Sequence, residues 1–224
     1  MGSVGLTLPW GNRISAVAGQ GAPRVEPSET EEPNRTRDTV REDAALAAGC
    51  LAGEVRAYER LYQLQGARMK NLARNLLGSP TDAEDAVQDT FLKIQRGIKG
   101  FRGQSSFVTW AFRILVNTCH DLKRGRLRRK EQAPNDVEAA PTPEPRAPGA
   151  HPSLRMALER ALITLTRQQR EVFLLYEVEG FRHAEIAALL EISETASKNT
   201  LFQAKKNLRS MLEPPRSAKA GGVR

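Results

Sequence analysis

The chain has 224 residues, which is enough for one domain of moderate size or for two small ones. Its formal net charge of +8 favours a polyanionic partner, either nucleic acid or an anionic membrane surface. No apolar run approaches the roughly 18 residues that a membrane span needs. The first residues also lack the charged segment and apolar core of a signal peptide. We therefore expect a cytoplasmic protein without membrane contact of its own.

Cysteine and histidine are too sparse and too scattered to predict a metal site. Cys50 and Cys119 match no zinc or redox spacing, so free, buried or half-buried thiols in a reducing cytosol are expected. The histidines at 120, 151 and 183 are far apart in the sequence. The sequence thus predicts no metal and no cofactor.

Proline divides the sequence into segments. Of the 13 prolines, four lie in residues 1–42 and six lie between Pro134 and Pro152. These stretches lack hydrophobic periodicity and are typical of a disordered tail and of a flexible linker, and no run of residues favours a strand. The prediction is an all-α fold with a disordered N-terminal extension (1–42), a helical domain (43–130), a Pro/Ala-rich linker (131–152), a second helical domain (153–213) and a disordered tail (214–224).

About four helices are predicted in the first domain from apolar side chains at helical spacing. The first spans 43–51, and a longer one follows it. The third is expected to begin with a capping box of Thr81 and Glu84. The fourth follows a glycine-rich loop and is expected to be capped by Ser105 or Ser106.

The third helix, 81–96, carries acidic and apolar side chains on different faces. At 100° per residue, Asp82, Asp85 and Asp89 lie within about 60° of one another and roughly 130° from the apolar face. Solvation together with the helix dipole would explain this acidic face. Because the chain as a whole is basic, a protein partner with a basic surface is the alternative that we favour.

The fourth helix ends in a basic run. Residues 120–130 carry six lysines and arginines and one acidic side chain. Since like charges one turn apart repel each other, a phosphate backbone that neutralises them is favoured over a solubilising tail. Phe101, in the adjoining glycine-rich loop, is suited either to stacking on an unpaired base or to packing on its own domain.

The second domain is predicted to hold four helices, with a capping box of Thr166 and Gln169 at the second of them. Residues 181–209 fit a helix-turn-helix in which Ser193 caps the longer helix. Its buried seam is expected to consist of Ile186, Leu189, Ile192 and Leu201. An outer face suited to base edges and phosphates is predicted from Thr195, Lys198, Asn199, Phe202, Gln203 and Lys206. The alternative is a helical hairpin that binds nothing.

Three segments together resemble the sigma factors of the extracytoplasmic-function (ECF) type, which are two-domain members of the sigma-70 family. Residues 82–94 are similar to region 2.2 of that family, residues 101–124 to regions 2.3 and 2.4, and residues 162–209 to region 4. The resemblance implies a non-enzymatic transcription initiation factor that binds core RNA polymerase, recognises the −35 and −10 elements of promoter DNA and promotes opening. It also implies an anti-sigma factor as a partner, and association with the nucleoid when the chain is part of the holoenzyme.

The resemblance further implies roles for single residues. Docking on the clamp coiled coil of the largest polymerase subunit is implied for Asp82, Asp85, Gln88, Asp89 and Phe91. Engagement of the −10 element is implied for Phe101, Ser105, Trp110, Asn117, Asp121, Lys123, Arg124 and Arg128. Reading of the −35 element falls to the outer face of the last helix, and the rest of that domain would sit on the polymerase flap.

The chain departs from the family pattern around the helix-turn-helix. Thr200 and Gln203 stand where arginine is common, so the preferred −35 sequence is expected to differ from the usual one. Glu191 occupies a turn position often held by glycine, which costs stability if its φ is positive. Residues 1–42 have no counterpart in the family pattern.

Two other functions are compatible with parts of the sequence. A helix-turn-helix operator-binding regulator that acts without core polymerase is expected to dimerise on a palindrome, and it leaves the acidic helix unexplained. A nuclease or recombinase needs a carboxylate–metal cluster or a positioned nucleophile. Asp82, Asp85 and Asp89 on a surface helix without a cleft would make a poor metal cage.

Overall fold

The computed structural model describes residues 6–7, 13–14, 32–132 and 152–212. The chain divides into two compact units. Both units are helical, which confirms the all-α prediction. Within the described ranges no helix is both long enough and apolar enough to span a bilayer.

Two short strands lie in the segment predicted to be a disordered tail. Strand β1 (Leu6–Thr7) pairs antiparallel with β2 (Arg13–Ile14), with Leu6 opposite Ile14 and Thr7 opposite Arg13. No pattern in the sequence favoured these strands. A two-residue strand is too short for an alternating pattern to indicate it.

Residues 32–132, the continuously described part of the first unit, form four α-helices and a 3₁₀ turn. They are α1 (Glu32–Leu51), α2 (Val55–Leu77), α3 (Pro80–Gly97), the 3₁₀ turn (Ile98–Gly100) and α4 (Phe107–Gln132). The prediction of a helix over 43–51 preceded by disorder was wrong for residues 32–42, because that polar stretch is helical without apolar periodicity. Helix α4 ends two residues beyond 130, inside the predicted linker.

The start of α3 differs from the predicted capping box. The N-cap is Ser79, whose Oγ accepts a hydrogen bond from the Asp82 backbone N–H at 3.3 Å. Pro80 occupies the first turn, where a missing N–H has no cost. The prediction of Thr81 as the cap was therefore wrong, since a serine before proline is the stronger start signal.

Large apolar side chains from α2, α3 and α4 form the core of the first unit. The most deeply buried are Leu61, Met69, Leu72, Ile94, Phe107, Phe112, Leu115 and Val116. Burial of each such side chain stabilises the fold by about 1.5–3 kcal/mol. Cys50 and Cys119 are buried free thiols, as predicted. Burial, with a smaller effect of Glu54, raises the pKa of the Cys50 thiol to about 11, so this thiol is protonated at neutral pH.

An aspartate from α1 caps α4 across a long stretch of sequence. The backbone N–H groups of Phe107 and Val108 donate to Asp43 Oδ2 and Oδ1 at 2.7 and 2.9 Å. The Thr109 N–H donates to Ser106 Oγ at 3.0 Å, which confirms Ser106 as one of the two predicted caps. The free N–H groups at the start of α4 thus have side-chain acceptors from two elements.

The part of the second unit that the structure describes, residues 152–212, forms four α-helices and a π-helical segment. They are α5 (Pro152–Thr164), α6 (Arg167–Phe173), the π-helical segment (Leu174–Val178), α7 (His183–Leu190) and α8 (Glu194–Leu212). The predicted capping box is present: Gln169 N–H donates to Thr166 Oγ1, and Thr166 N–H donates to Gln169 Oε1, both at 3.3 Å. Most of the predicted linker and the tail from 214 lie outside the described residues.

We predict that Asp43→Ala destabilises the first unit. The change leaves two partly buried N–H groups without their charged acceptor, and such hydrogen bonds contribute about 1.5–3 kcal/mol to the free energy of unfolding. Chemical denaturation of the full chain measures the loss, and hydrogen exchange at residues 107 and 108 localises it. The control is Asp38→Ala, which removes an exposed aspartate of the same helix. Equal effects of the two substitutions would contradict a capping role.

Candidate protein-docking and nucleic-acid interfaces

Helix α3 presents an acidic face to solvent and an apolar face to the core. Asp85, Gln88 and Asp89 are exposed. The opposite face buries Ala83, Ala86, Val87, Thr90 and Ile94. The Thr90 hydroxyl is satisfied within the helix, because it donates to the Ala86 carbonyl at 2.6 Å. The predicted segregation of acidic and apolar side chains on this helix is therefore confirmed.

Two members of the predicted docking set are built into the first unit. Asp82 is half-buried, and its carboxylate forms an ion pair with Arg126 of α4. Phe91 is half-buried and meets Tyr62 edge to face, with ring centroids 5.5 Å apart. The exposed acidic face therefore consists of Asp85, Gln88 and Asp89.

An apolar groove that the sequence did not reveal continues from this acidic face. It has a volume of about 580 Å³ between α2 and α3, and Gln88 and Phe91 are among its lining residues. Its rim carries exposed apolar side chains, including Leu92 and Val55, which is 70% exposed. Sequence periodicity indicated this groove only weakly, because Val55 and Leu92 do not belong to an apolar stripe on their helices.

Aromatic rings cluster where the glycine-rich loop meets α4. The Phe101 centroid lies 5.4 Å from that of Phe107 and 5.4 Å from that of Trp110, and Phe107 and Trp110 are 5.7 Å apart. Phe101, Ser105 and Trp110 are each half-buried. Of the two alternatives for Phe101, the structure shows packing on its own domain, with part of the ring accessible.

The basic end of α4 is organised around Asp121. Its Oδ1 accepts from Arg124 Nη2 at 2.5 Å and its Oδ2 from Lys93 Nζ at 3.4 Å. The hydrogen bond from Arg124 is the main cause that lowers the pKa of the Asp121 carboxyl, and Lys93 adds to it. Lys93 also donates to Thr118 Oγ1 at 3.0 Å. Lys93 comes from α3 and was missed in the sequence, because the two helices had to be packed before it could be placed here.

The remaining predicted −10 residues lie along the same helix. Asn117 and Arg128 are exposed, and Lys123 is half-buried. Arg124 keeps 65% of its side chain exposed despite its pairing with Asp121. These side chains therefore offer cations and an amide to solvent along one stretch of α4.

The outer face of α8 is exposed as predicted. Solvent reaches all six side chains: Thr195, Lys198, Asn199, Phe202, Gln203 and Lys206. Phe202 is 65% exposed and presents an apolar ring among the polar side chains of this face. Lys198 Nζ pairs with Glu194 Oε1 at 2.6 Å, and this hydrogen bond is the main cause that lowers the pKa of Glu194. In the free chain, the ammonium group of Lys198 is therefore already paired with an acidic neighbour.

The predicted seam and cap of the helix-turn-helix are present. Ile186, Leu189 and Leu201 are buried, and Ile192 is half-buried. Ser193 Oγ accepts from the Ala196 N–H at 3.1 Å and caps α8.

A buried polar pair joins α7 to α8. Ser197 is fully buried, and its Oγ lies 2.9 Å from Nδ1 of His183. The imidazole stacks on Tyr176, with centroids 4.5 Å apart. Tyr176 lies in the π-helical segment, where the Glu179 N–H reaches the Leu174 carbonyl at 3.0 Å. Sequence periodicity did not reveal the π-helical segment, which carries the tyrosine that stacks on His183.

The turn before α8 has the backbone geometry that the sequence indicated. Glu191 has φ 56°, a left-handed conformation that disfavours residues with a Cβ atom. A glycine avoids this steric cost, but it loses more entropy on folding. The expected loss of stability at Glu191 is therefore real. Its net size is the steric cost of the positive φ less the entropic cost that a glycine would have there.

We predict that Glu191→Gly is more stable than Glu191→Ala by about 1 kcal/mol, since both remove the carboxylate and only glycine relieves the backbone. Denaturant unfolding of the two full-length variants measures the difference. Gly180→Ala is the reciprocal control, because Gly180 has φ 73° and loses stability when it gains a Cβ atom. Equal stability of the two variants at 191 would contradict a backbone cause.

Comparison with known proteins identifies both units. Residues 61–130 match Sigma-70 region 2, and residues 155–208 match Sigma-70, region 4. The ECF RNA polymerase sigma factor SigM of Mycobacterium tuberculosis is 32% identical over 173 residues, which are 77% of this chain and 85% of that protein. The solved structure of CnrH in complex with the cytosolic domain of CnrY is 29% identical, with a TM-score of 0.59, over 76% of this chain and 97% of that chain.

A second solved structure is that of the sigma factor RpoE in complex with the anti-sigma factor NepR from Bartonella quintana. It is 25% identical, with a TM-score of 0.62, over 72% of this chain and 100% of that chain. The helical bundle with separate acidic and basic faces and the helix-turn-helix define a DNA-binding protein of transcription. The chain belongs to the sigma-70 family, as a sigma factor of the ECF type. It is thus a transcription initiation factor that binds core RNA polymerase and confers promoter specificity.

Proposed function

We propose that the first unit docks on core polymerase through α3 while it engages the −10 element through α4. The observation that supports this division is the separation of charge within one bundle. Asp85 and Asp89 are exposed on α3. Arg124 and Arg128 are exposed on α4. An acidic face suits a basic protein surface, such as that of the polymerase clamp coiled coil, whereas exposed arginines suit phosphates.

The apolar groove beside the acidic face extends the proposed docking surface. Charged side chains give an interface its orientation and its association rate, while buried apolar side chains supply most of the affinity. Val55 and Leu92 are exposed in the free chain, and contact with a partner would remove them from water. The acidic face and the groove together would therefore supply orientation and affinity.

The second unit would read the −35 element through α8 and rest on the polymerase flap. Asn199 and Gln203 carry amides that pair well with adenine, and Lys198 and Lys206 carry charges for phosphate or guanine. Thr200 and Gln203 replace common arginines of the family, so fewer guanine contacts are expected. The resulting −35 preference would differ from that of typical relatives.

The factor would act by binding and without bond-making chemistry. Among the described residues there is no group of three or more His, Cys, Asp or Glu side chains placed to hold a metal ion. Asp82 is paired with Arg126, which leaves the acidic helix a poor metal cage. Since core polymerase works on the bacterial chromosome, the chain would act in the cytoplasm and at the nucleoid within the holoenzyme.

An anti-sigma factor is a further expected partner. The structures of CnrH and RpoE described above contain the cytosolic domain of CnrY and the anti-sigma factor NepR. By similarity, free activity of this chain would be restrained by a protein that covers its polymerase-binding surfaces. The exposed apolar rim at Val55 and Leu92 is a surface that such a protein would protect from water.

Reconstitution with bacterial core RNA polymerase tests the proposal. The full chain is mixed with core enzyme, complex formation is measured, and transcription start sites are mapped on genomic fragments. Tight binding with discrete start sites supports the proposal and supplies the −35 and −10 sequences. A chain that fails to bind core enzyme but shifts particular DNA fragments would instead be an operator-binding regulator.

We predict that Asp85→Asn and Asp89→Asn together weaken core binding roughly tenfold at low salt and less at high salt, because exposed charges are screened. Fluorescence titration of labelled factor with core enzyme measures the affinity. Asp82→Asn is the matched control on the same helix: it should leave the affinity within about twofold while lowering stability, because its carboxylate pairs with Arg126. Chelation of divalent metal ions should change the core-binding affinity of neither the double variant nor Asp82→Asn. A loss from Asp82→Asn equal to that of the double variant would argue against the assignment.

We predict different consequences for two exposed residues of α8. Asn199→Ala should relax base preference at one −35 position, since a bidentate amide contact discriminates by about 1–3 kcal/mol. Lys206→Ala should weaken all promoters alike and reduce the salt slope of binding by about 0.9. Competition between mapped and singly substituted promoters measures both. If Asn199→Ala weakened binding to all of these promoters equally, Asn199 would have no role in base recognition.

A further inference from the structure

Gly125 lies in the interior of α4, where glycine is among the least favourable residues. Its φ is not positive, so the backbone does not require it. A Cβ atom built on Gly125 would meet no atom within 4 Å, so packing within the chain does not require it either. Neither the local conformation nor the core explains a glycine here.

The surface around Gly125 is a basic depression. It has a volume of about 480 Å³ and is lined by Asp121, Arg124, Gly125 and Arg128. These positions are three and four residues apart, so they share one face of the helix. The two arginines flank the glycine, which forms part of the wall, and their side chains are exposed. A ligand in the depression could therefore approach the helix backbone with a guanidinium on each side.

Asp121 restrains the side chain of Arg124, which forms one wall of this depression. Its carboxylate accepts from Arg124 at 2.5 Å and is also held by Lys93 at 3.4 Å. Restraining the guanidinium in this way lowers the entropy lost when it binds an anion. Asp121 thus acts through Arg124 and is a positioning residue, rather than a group suited to contacting phosphate itself.

We propose that the depression at Gly125 seats one backbone phosphate of promoter DNA between Arg124 and Arg128, and that Gly125 is needed because a side chain would fill the seat. The inference rests on the proposed role of α4 at the −10 element. A phosphodiester carries one negative charge and oxygens that match the planar guanidinium donors. Glycine is the residue that permits close approach of a ligand to the backbone.

Two substitutions separate this proposal from a purely structural role. Alanine and leucine are both better helix formers than glycine and differ little from each other in propensity, so neither Gly125→Ala nor Gly125→Leu should lower the thermal midpoint of the full chain. DNA affinity should fall with side-chain size, roughly threefold for alanine and roughly tenfold for leucine. The salt slope on single-stranded DNA should fall by about 0.7, since one phosphate contact is lost.

The matched control is Leu127→Ala on the same helix. Leu127 is 62% exposed and lies two residues on, about 200° around the helix from Gly125. Its substitution should leave DNA affinity unchanged. Because Arg124 and Gly125 would serve the same phosphate, Arg124→Gln combined with Gly125→Leu should cost less than the product of the single losses.

Affinity is measured by fluorescence anisotropy on two systems. One is the holoenzyme with a labelled promoter fragment mapped by reconstitution. The other is the free full chain at low salt with a labelled single-stranded oligonucleotide of mixed sequence. Graded loss at an unchanged or higher thermal midpoint supports the phosphate seat. Wild-type affinity of Gly125→Leu in the free-chain assay would overturn it, and so would a loss that follows a lowered midpoint.

The outcomes keep the two proposals apart. If the wild-type chain binds core enzyme and Gly125→Leu binds DNA normally, the phosphate seat is wrong and the proposed function stands. If the wild-type chain fails to bind core enzyme but Gly125→Leu weakens oligonucleotide binding by the free chain, the seat stands and the proposed function is wrong.

Discussion

The packing of α3 against α4 determines where the charges of the first unit lie. Apolar side chains such as Ile94 and Leu115 are buried in this core. Two ion pairs then join the helices, Asp82 with Arg126 and Lys93 with Asp121. The exposed Lys93–Asp121 pair contributes about 0–1 kcal/mol, and the half-buried Asp82–Arg126 pair loses much of its attraction to desolvation, so apolar burial supplies the stability and the pairs supply orientation. The charges left over are acidic on α3 and basic on α4, which suits one small bundle to a protein and to DNA.

The sequence predicted the periodic part of this arrangement and missed the long-range part. The acidic face of α3, the buried face behind it and the outer face of α8 follow from helical spacing alone. Asp43 could not be linked to the start of α4, because nothing local connects residues 64 positions apart. The same reason hid Lys93, whose partners Thr118 and Asp121 lie on another helix. Periodicity identifies a face, but only packing identifies its neighbours.

The second unit shows how a buried polar side chain is accommodated. Ser197 is fully buried, and an unpaired hydroxyl at such a position would be costly. His183 supplies the missing partner at 2.9 Å, and Tyr176 holds the imidazole from the π-helical segment. A buried polar pair of this kind is stable only when both partners are present. Ser197 therefore has to be interpreted together with His183 and Tyr176.

Opening of promoter DNA without bond-making chemistry requires that the factor bind the open form more tightly than the closed one. Unstacking costs a few kcal/mol per base step, so each contact made only in the open form matters. The part of Phe101 left accessible by its aromatic cluster would offer a ring to an unpaired base, and Arg124, which Asp121 holds through one nitrogen, would keep its other N–H groups for a phosphate. In the second unit, Lys198 carries a compact ammonium and would have to exchange Glu194 for DNA, so its contribution would be the difference between two ionic contacts. On the function proposed here, preorganised groups in the first unit would favour opening, while the exchange at Lys198 would keep the free chain from holding DNA tightly.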